Sequence, residues 1–177
     1  LSLSRALDRR LAATSLRRVV WLKFYANMLL PFLGIAGGLL LGGGYPELHA
    51  ETLSRNEPMR RAVRAAIEGG MPAIAECGGF LYLHRSLEDA DGNAHAMAGV
   101  IAAEGFRTGR LGRFGYVTLT AREENLLCGA GETLRAHEFH YWESTDPGAG
   151  FTARKPQSDR KWDCVHTCLL YTSDAAD

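Results

Sequence analysis

The chain has 177 residues, long enough for one domain with its own core. Its 20 lysines and arginines balance 20 aspartates and glutamates, which leaves no global electrostatic case for nucleic acid or an anionic membrane as partner. Cys77, Cys128, Cys164 and Cys168 show no disulfide-framework spacing, so a reducing, cytoplasmic setting is expected.

Residues 1–33 are hard to assign. Leu3, Leu7 and Leu11 sit at helical spacing and Arg9, Arg10, Arg17 and Arg18 make the segment basic, a pattern that reads as a solvated amphipathic helix or as one lying on a membrane surface. No small-residue cleavage site marks a signal peptide. From Phe24 to Leu41 the chain is apolar over a length that would suit a membrane helix. Pro31 and Gly34, Gly37, Gly38 and Gly42 are poor in a helix interior. Leu39-Leu40-Leu41 before Gly42-Gly43-Gly44 therefore reads as a buried strand ending in a glycine turn. Such a turn exposes backbone N–H groups and can hold an oxyanion or a phosphate, or simply end a strand. The Lys-Ser/Thr of a phosphate-binding loop is missing, so no nucleotide site is expected.

Asn56-Glu57-Pro58-Met59 predicts a capped helix start, with Met59, Val63, Ala66 and Ile67 as its apolar stripe and Gly69-Gly70 as its end. Arg60, Arg61 and Arg64 lie off the stripe and are expected to be solvated. Ala73-Ile74-Ala75 predicts a short buried strand that stops at Cys77, with Gly78 and Gly79 next and Phe80, Leu81 and Leu83 opening an apolar helical pattern. A strand turning sharply into a helix with a nucleophile on the turn is the layout of a nucleophile elbow. The glycines leave room for the turn and for a substrate, and a helix N-terminus aimed at Cys77 would favour the thiolate. A free cysteine can equally be a small buried apolar residue. Alternating strands and helices imply an α/β fold with a parallel sheet, whose sites form at the carboxyl ends of strands, where both the Gly42–Gly44 loop and Cys77 lie.

Further along, Glu88 to Asn93 predicts a polar turn, and strands are predicted over Met97–Ile101, Arg113–Thr120, Thr133–Trp142 and from Trp162 towards Thr167. Alternation puts His137, Phe139 and Tyr141 on one face and Glu138 and His140 on the other. His137-x-x-His140 is one residue short of H-E-x-x-H, and Cys164-x-x-x-Cys168 has no second pair, so no metal site is expected.

Gly42-Gly-Gly-Tyr-Pro-Glu-Leu-His49, Ala75-Glu-Cys-Gly-Gly79, Arg113-Phe-Gly-Tyr116 and His137-Glu-Phe-His-Tyr141 occur in this order. Together they resemble the C-terminal glutamine amidotransferase domain of the cobyrinic acid a,c-diamide synthase family, over residues 34–167. The resemblance implies an α/β fold of the flavodoxin-like class I glutamine amidotransferase type, an open and mostly parallel sheet flanked by helices, incomplete here at both ends. It implies that Cys77 attacks the side-chain amide of glutamine to give a thioester and ammonia. Backbone N–H groups of Gly43, Gly44 and Gly78 would hold the oxyanion. Arg113 would meet the glutamine carboxylate, or be a surface arginine. His137 and His140 would line the same region, or be structural histidines in a strand.

The resemblance further implies a preceding synthetase domain that uses ATP and Mg²⁺ to activate the a and c carboxylates of a corrinoid. No cofactor is expected in residues 1–177. The same chemistry on nickel sirohydrochlorin or hydrogenobyrinic acid, a cysteine hydrolase of another class, and a membrane-associated module built on Phe24–Leu41 are the alternatives. Residues 1–33 do not resemble the family's opening strand and helix and read as unassigned, a mistranslated or chimeric start. The family's catalytic histidine is expected beyond residue 177. Residues 168–177 are what a sequencing-library adapter would encode and read as read-through rather than protein.

Overall fold

The computed structural model describes residues 32–35, 38–111 and 113–167. The Leu3, Leu7, Leu11 pattern, the arginines of the first segment, most of the Phe24–Leu41 run before its strands, and residues 168–177 lie outside the described residues. The described residues fall into two compact units, one running up to Gly112 and including 140–146, the other formed by 113–139 and 147–167.

In the first unit, β1 (Phe32–Ile35) pairs antiparallel with β2 (Gly38–Leu41), and β2 pairs parallel with β3 (Ala73–Ala75). A 3-10 turn (Pro46–His49), α1 (Ala50–Arg55) and α2 (Glu57–Glu68) cross between the parallel strands. The α2 signals act as the sequence predicts. Asn56 Oδ1 accepts from the Met59 N–H at 3.3 Å, Val63 and Ile67 are buried, and Gly69 N–H closes on Ala65 O at 2.9 Å. Leu39, Leu41, Val63 and Ile67 join one core, and each such side chain contributes about 1.5–3 kcal/mol by leaving water. Arg61 and Arg64 make exposed i,i+4 pairs with Glu57 and Glu68. Arg60 differs from the expectation of a merely solvated residue: it donates to Ser54 O at 2.9 Å and to Met97 O at 3.1 Å, tying α2 to a distant loop.

After β3 the chain forms α3 (Gly78–Tyr82), then β4 (His84–Glu88), β5 (Ala94–Ala96) and β6 (Ile101–Arg107). With β9 (Trp142–Ser144) these strands form a sheet ordered β5-β4-β6-β9, with β4 and β6 parallel. The strand predicted over Met97–Ile101 is corrected. Residues 97–100 link β5 to β6, with the N–H groups of Met97, Ala98 and Gly99 donating to Arg85 O, Tyr82 O and His84 O. Gly99 has φ 73°, which breaks extended backbone, while Met97 and Ala98 are buried. The apolar run there signals burial rather than a strand.

The second unit is a sheet ordered β11-β10-β7-β8, made of β7 (Arg113–Ala121), β8 (Thr133–His140), β10 (Phe151–Arg154) and β11 (Lys161–Cys164). Ala121, Cys128 and Phe151 are its buried centre. The strand predicted over Thr133–Trp142 stops at His140, because Tyr141 O is taken by the N–H and hydroxyl of Thr108 and the chain enters β9 beside β6. The α/β class holds. Within it the described strands are divided among three sheets: two are mixed, with β2–β3 and β4–β6 as their parallel pairs, and in the second unit's sheet the β10–β11 and β10–β7 pairs are antiparallel.

The β4–β5 turn shows why Glu88 to Asn93 reads as polar. Asp89 Oδ1 accepts from the Asp91 and Asn93 N–H groups at 2.9 and 2.8 Å, and Oδ2 meets His95 Nε2 at 2.8 Å. The His95 bond foremost, then the Asn93 amide, hold the Asp89 carboxyl well below the usual carboxylate range. The turn's stabilisation is therefore complete above that range and is lost as pH falls through the acid region beneath it. Amide exchange at Gly92 and Asn93 should accelerate as the solution is acidified, beyond the intrinsic trend, and Asp89→Asn should remove that dependence.

Candidate functional site

Parallel pairing of β3 on β2 continues one step past the strand, where the Glu76 N–H donates to Leu41 O at 2.9 Å. The chain then turns at Cys77, with φ 51° and ψ −112°. A side chain rarely tolerates positive φ, and a residue held there is strained by its surroundings. Gly79 N–H returns to Glu76 O at 2.9 Å and Leu81 N–H to Cys77 O at 3.1 Å, so α3 starts at once. The result is a strand–turn–helix elbow with an exposed cysteine at its apex.

The glycines are forced by close approach. A Cβ on Gly78 would lie 2.6 Å from Gly44 O and 2.7 Å from Pro46 Cδ, and one on Gly79 would lie 2.8 Å from the Leu41 carbonyl carbon. A Cβ on Gly43 would stand 3.7 Å from Cys77 Cβ. The end of β2 and the elbow are thus in backbone contact, and Cys77, Gly43, Gly44 and Gly78 come together. α3 is five residues long, so it aligns only a few peptide dipoles rather than the longer helix the sequence suggests. Leu81 and Tyr82 in α3 and Leu83 just after it are buried consecutively, which suits a turn feeding β4 better than a helix with a solvated face.

Around the elbow, Glu47 is buried on the 3-10 turn, and desolvation pushes its carboxyl above the ordinary range against the opposing effects of a backbone hydrogen bond and His49. Tyr45 and Leu48, on either side of it, are exposed. A residue that the sequence does not signal is His84. It is fully buried, its Nδ1 lies 2.8 Å from Phe80 O in α3, and its Nε2 lies 2.6 Å from Ser144 Oγ in β9. The carbonyl can only accept, so Nδ1 carries a proton and fastens the elbow helix to the neighbouring sheet.

The remaining candidates have other neighbours. Arg113 belongs to the second unit, with its guanidinium 4.9 Å above the Trp162 ring and Nη1 3.8 Å from Glu138 Oε1. His137 is exposed and meets the rings of Phe114 and Tyr116 edge-on at 5.5 and 5.1 Å. His140 is half-buried in the first unit, with Nδ1 3.0 Å from Trp142 O and 3.7 Å from Glu143 Oε1. Alternation along β8 holds, with Glu138 and His140 less exposed than His137 and Phe139.

A strained cysteine at a strand end, open to solvent beside a glycine loop, has the layout of a nucleophile elbow in an α/β fold. The sequence profile of the CobB/CobQ-like glutamine amidotransferase domain matches residues 20–167, and the chain belongs to that family. It is 43% identical over 137 residues to the cobyrinate a,c-diamide synthase of Caldanaerobacter subterraneus subsp. tengcongensis, covering 75% of this chain and 30% of the relative. It is 48% identical over 101 residues to that of Salmonella typhimurium, covering 57% of this chain and 22% of the relative. A third, from Dehalococcoides mccartyi strain 195, is 40% identical over 111 residues, 63% of this chain and 24% of the relative. The chain thus spans less than a third of the length of these relatives.

The strain at the apex can be measured. Cys77→Gly should be more stable than Cys77→Ala by about 1–3 kcal/mol, because both lose the thiol but only glycine relaxes at positive φ. Gly79→Ala should destabilise by about 1–3 kcal/mol, since the added methyl meets backbone that cannot step aside. Denaturant unfolding of the three variants checks both.

Proposed function

We propose that the chain is the glutaminase part of an ATP-dependent amidotransferase that supplies ammonia to amidate the a and c carboxylates of cobyrinic acid. The observation that carries this reading is Cys77, exposed at φ 51° with the Gly43–Gly44 turn against it. Family membership and relatives that bear the name cobyrinate a,c-diamide synthase support the same reading. In this scheme residues 34–167 are the amidotransferase domain, and 168–177 take no part.

The chemistry follows from the thiol. Cys77 Sγ attacks the side-chain carbonyl carbon of glutamine, and its proton passes to a general base. The carbonyl electron pair moves to oxygen, and the N–H groups of the Gly43–Gly44 turn and of Gly78 receive the charge. Preorganised donors of this kind are each worth about 10²–10³ in rate. The carbon–nitrogen bond then breaks, nitrogen takes a proton and leaves as ammonia, and a γ-glutamyl thioester remains. Water attacks the thioester, releasing glutamate and restoring the thiol. Splitting the reaction at the thioester replaces one hard step with two easier ones.

Arg113 for the glutamine carboxylate, and His137 and His140 as lining of the same region, belong to this proposal. The family resemblance, rather than the contacts of the chain's own histidines, points to a histidine outside the motifs matched here as the general base; full turnover by this chain would instead show that His137 or His140 serves. ATP and Mg²⁺ would act on the carboxylate acceptor in the remaining length of such proteins, and a corrinoid would be bound there. The residues of this chain offer no phosphate-loop motif, and no step above runs through either group. The proposed setting is the cytoplasm; no helix among the described residues is long and apolar enough to cross a membrane.

The test is alkylation by 6-diazo-5-oxo-L-norleucine, read by mass. One adduct is expected on Cys77 and none on Cys77→Ala. An adduct on Cys128 or Cys164 instead, or unimpaired glutaminase activity in Cys77→Ala, would sink the reading. Steady turnover of glutamine by the 177-residue chain should be slow, because thiol activation needs an adjacent base.

A further inference from the structure

Both flanks of the elbow are tied down. On the strand side the Glu76 N–H donates to Leu41 O at 2.9 Å, one residue before Cys77. On the helix side α3 has five residues, and a helix that short is not stable on its own. Its end is caught by neighbouring groups. The Ala98 N–H donates to Tyr82 O at 3.0 Å, and the His84 ring holds Phe80 O at 2.8 Å, three residues from Cys77. The imidazole is fully buried, stands edge-on to the Phe80 ring at 4.6 Å, and meets Ser144 Oγ with its other nitrogen at 2.6 Å.

Ser144 is a firm anchor for that ring. It lies opposite Gly105 in the β6–β9 register, and on the next residue Thr145 N–H donates to Glu104 O at 3.0 Å while Thr145 Oγ1 accepts from Glu104 N–H at 2.9 Å. The Trp142 indole N–H donates to Glu88 O at 2.9 Å and ties β9 to β4 as well. The Ser144 hydroxyl has one proton and two lone pairs. One lone pair accepts from the Asp146 N–H at 3.0 Å, and Asp146 O lies 2.7 Å away as an acceptor for the proton. With His84 neutral, the hydroxyl donates to Nε2. With His84 protonated, Nε2–H donates to the second lone pair and the hydroxyl turns to Asp146 O. Nδ1–H stays on Phe80 O in both. The strap from α3 to β9 is thus closed in either state of the ring, and a methyl group at position 144 would open it in both.

We infer that His84 and Ser144 are positioning residues for the Cys77 thiol: they hold the elbow at positive φ by fixing the Phe80 carbonyl of α3 to β9. Positive φ at a residue with a side chain persists only where the surroundings enforce it. Gly78 and Gly79 lie tight against Gly44 and Leu41, but close packing only resists approach. Hydrogen bonds to a fixed sheet resist the opposite movement, in which α3 draws away from the strand end and Cys77 relaxes. The pair acts through α3. Its catalytic meaning rests on the proposed role of Cys77, whereas the strain itself can be read without glutamine.

The test is a mutant cycle in the 177-residue chain. Unfolding midpoints of Cys77→Gly and Cys77→Ala are compared in three backgrounds: native, Ser144→Ala and His84→Asn. The gap between the two midpoints reports the strain at position 77, and the unfolded-state cost of glycine, common to all three, cancels. The gap should fall to about half or less in both altered backgrounds, and Ser144→Thr, which keeps the hydroxyl, should restore it. A pair that served stability alone would lower every midpoint and leave the gap unchanged, and that result overturns the inference. Ser144 is only half-buried, so its arm decides the matter even where His84→Asn does not fold. A second readout uses the thiol. Alkylation of Cys77 by 6-diazo-5-oxo-L-norleucine should slow by about tenfold or more in Ser144→Ala, because small misplacements of a reacting group are costly. Iodoacetamide, which needs no oriented site, should react at an unchanged rate. Equal slowing of both reagents would mark lost exposure rather than lost position and would also overturn the inference. Absence of alkylation by the glutamine analogue in the native chain would defeat the proposed function, and the mutant cycle would still decide this inference.

Discussion

Backbone pressed on backbone is the constraint from which the first unit is built. Gly79 lies against the Leu41 carbonyl and Gly78 against Gly44, with no space for a side chain at either. Those contacts bring the end of β2 to the start of α3, and they hold Cys77 in a conformation that L-residues avoid. Everything beneath serves to keep that contact closed. Leu39 and Leu41 bury one strand, Val63 and Ile67 seat α2 upon it, and His84 fastens α3 to the sheet of β4, β6 and β9. The strain at one residue is sustained by a core many times its cost.

The second unit solves a different problem. A four-stranded sheet needs one face covered, and here only part of that face is apolar. The rest carries cations around an indole and a carboxylate. Cation–π contact keeps guanidinium and ammonium groups at the ring without neutralising them. Such an arrangement contributes little to stability when side chains stay partly solvated, yet it fixes charges in space. The opposite surface carries the exposed rings of Phe114, Tyr116 and Phe139, as the alternation along β7 and β8 requires.

Much of the elbow could be read directly from the sequence because its determinants are local. A short apolar run, a cysteine, two glycines and an upstream glycine turn are each confined to a few residues. The cap at Asn56 and the Asp89 turn were legible for the same reason. Strand partners were not, because pairing joins residues far apart in the chain. Nothing near Tyr141 announces that Thr108 captures its carbonyl and ends β8. Met97 and Ala98 are apolar because they are buried, and burial alone does not distinguish a strand from a crossing loop. β10 escaped notice since Phe151–Arg154 is short and only two of its side chains face inward. His84 and Glu138 gain their meaning from neighbours on other strands, so their letters alone could not reveal it.

The crowding at the elbow also sets where this protein can be redesigned. Substitution is closed at Gly78 and Gly79, and Cys77 itself accepts few replacements. Tyr45 and Leu48 are 67% and 65% exposed directly after the glycine loop. Their side chains are open to solvent, so a combinatorial library that leaves the elbow glycines untouched has its natural starting points at those two rim positions.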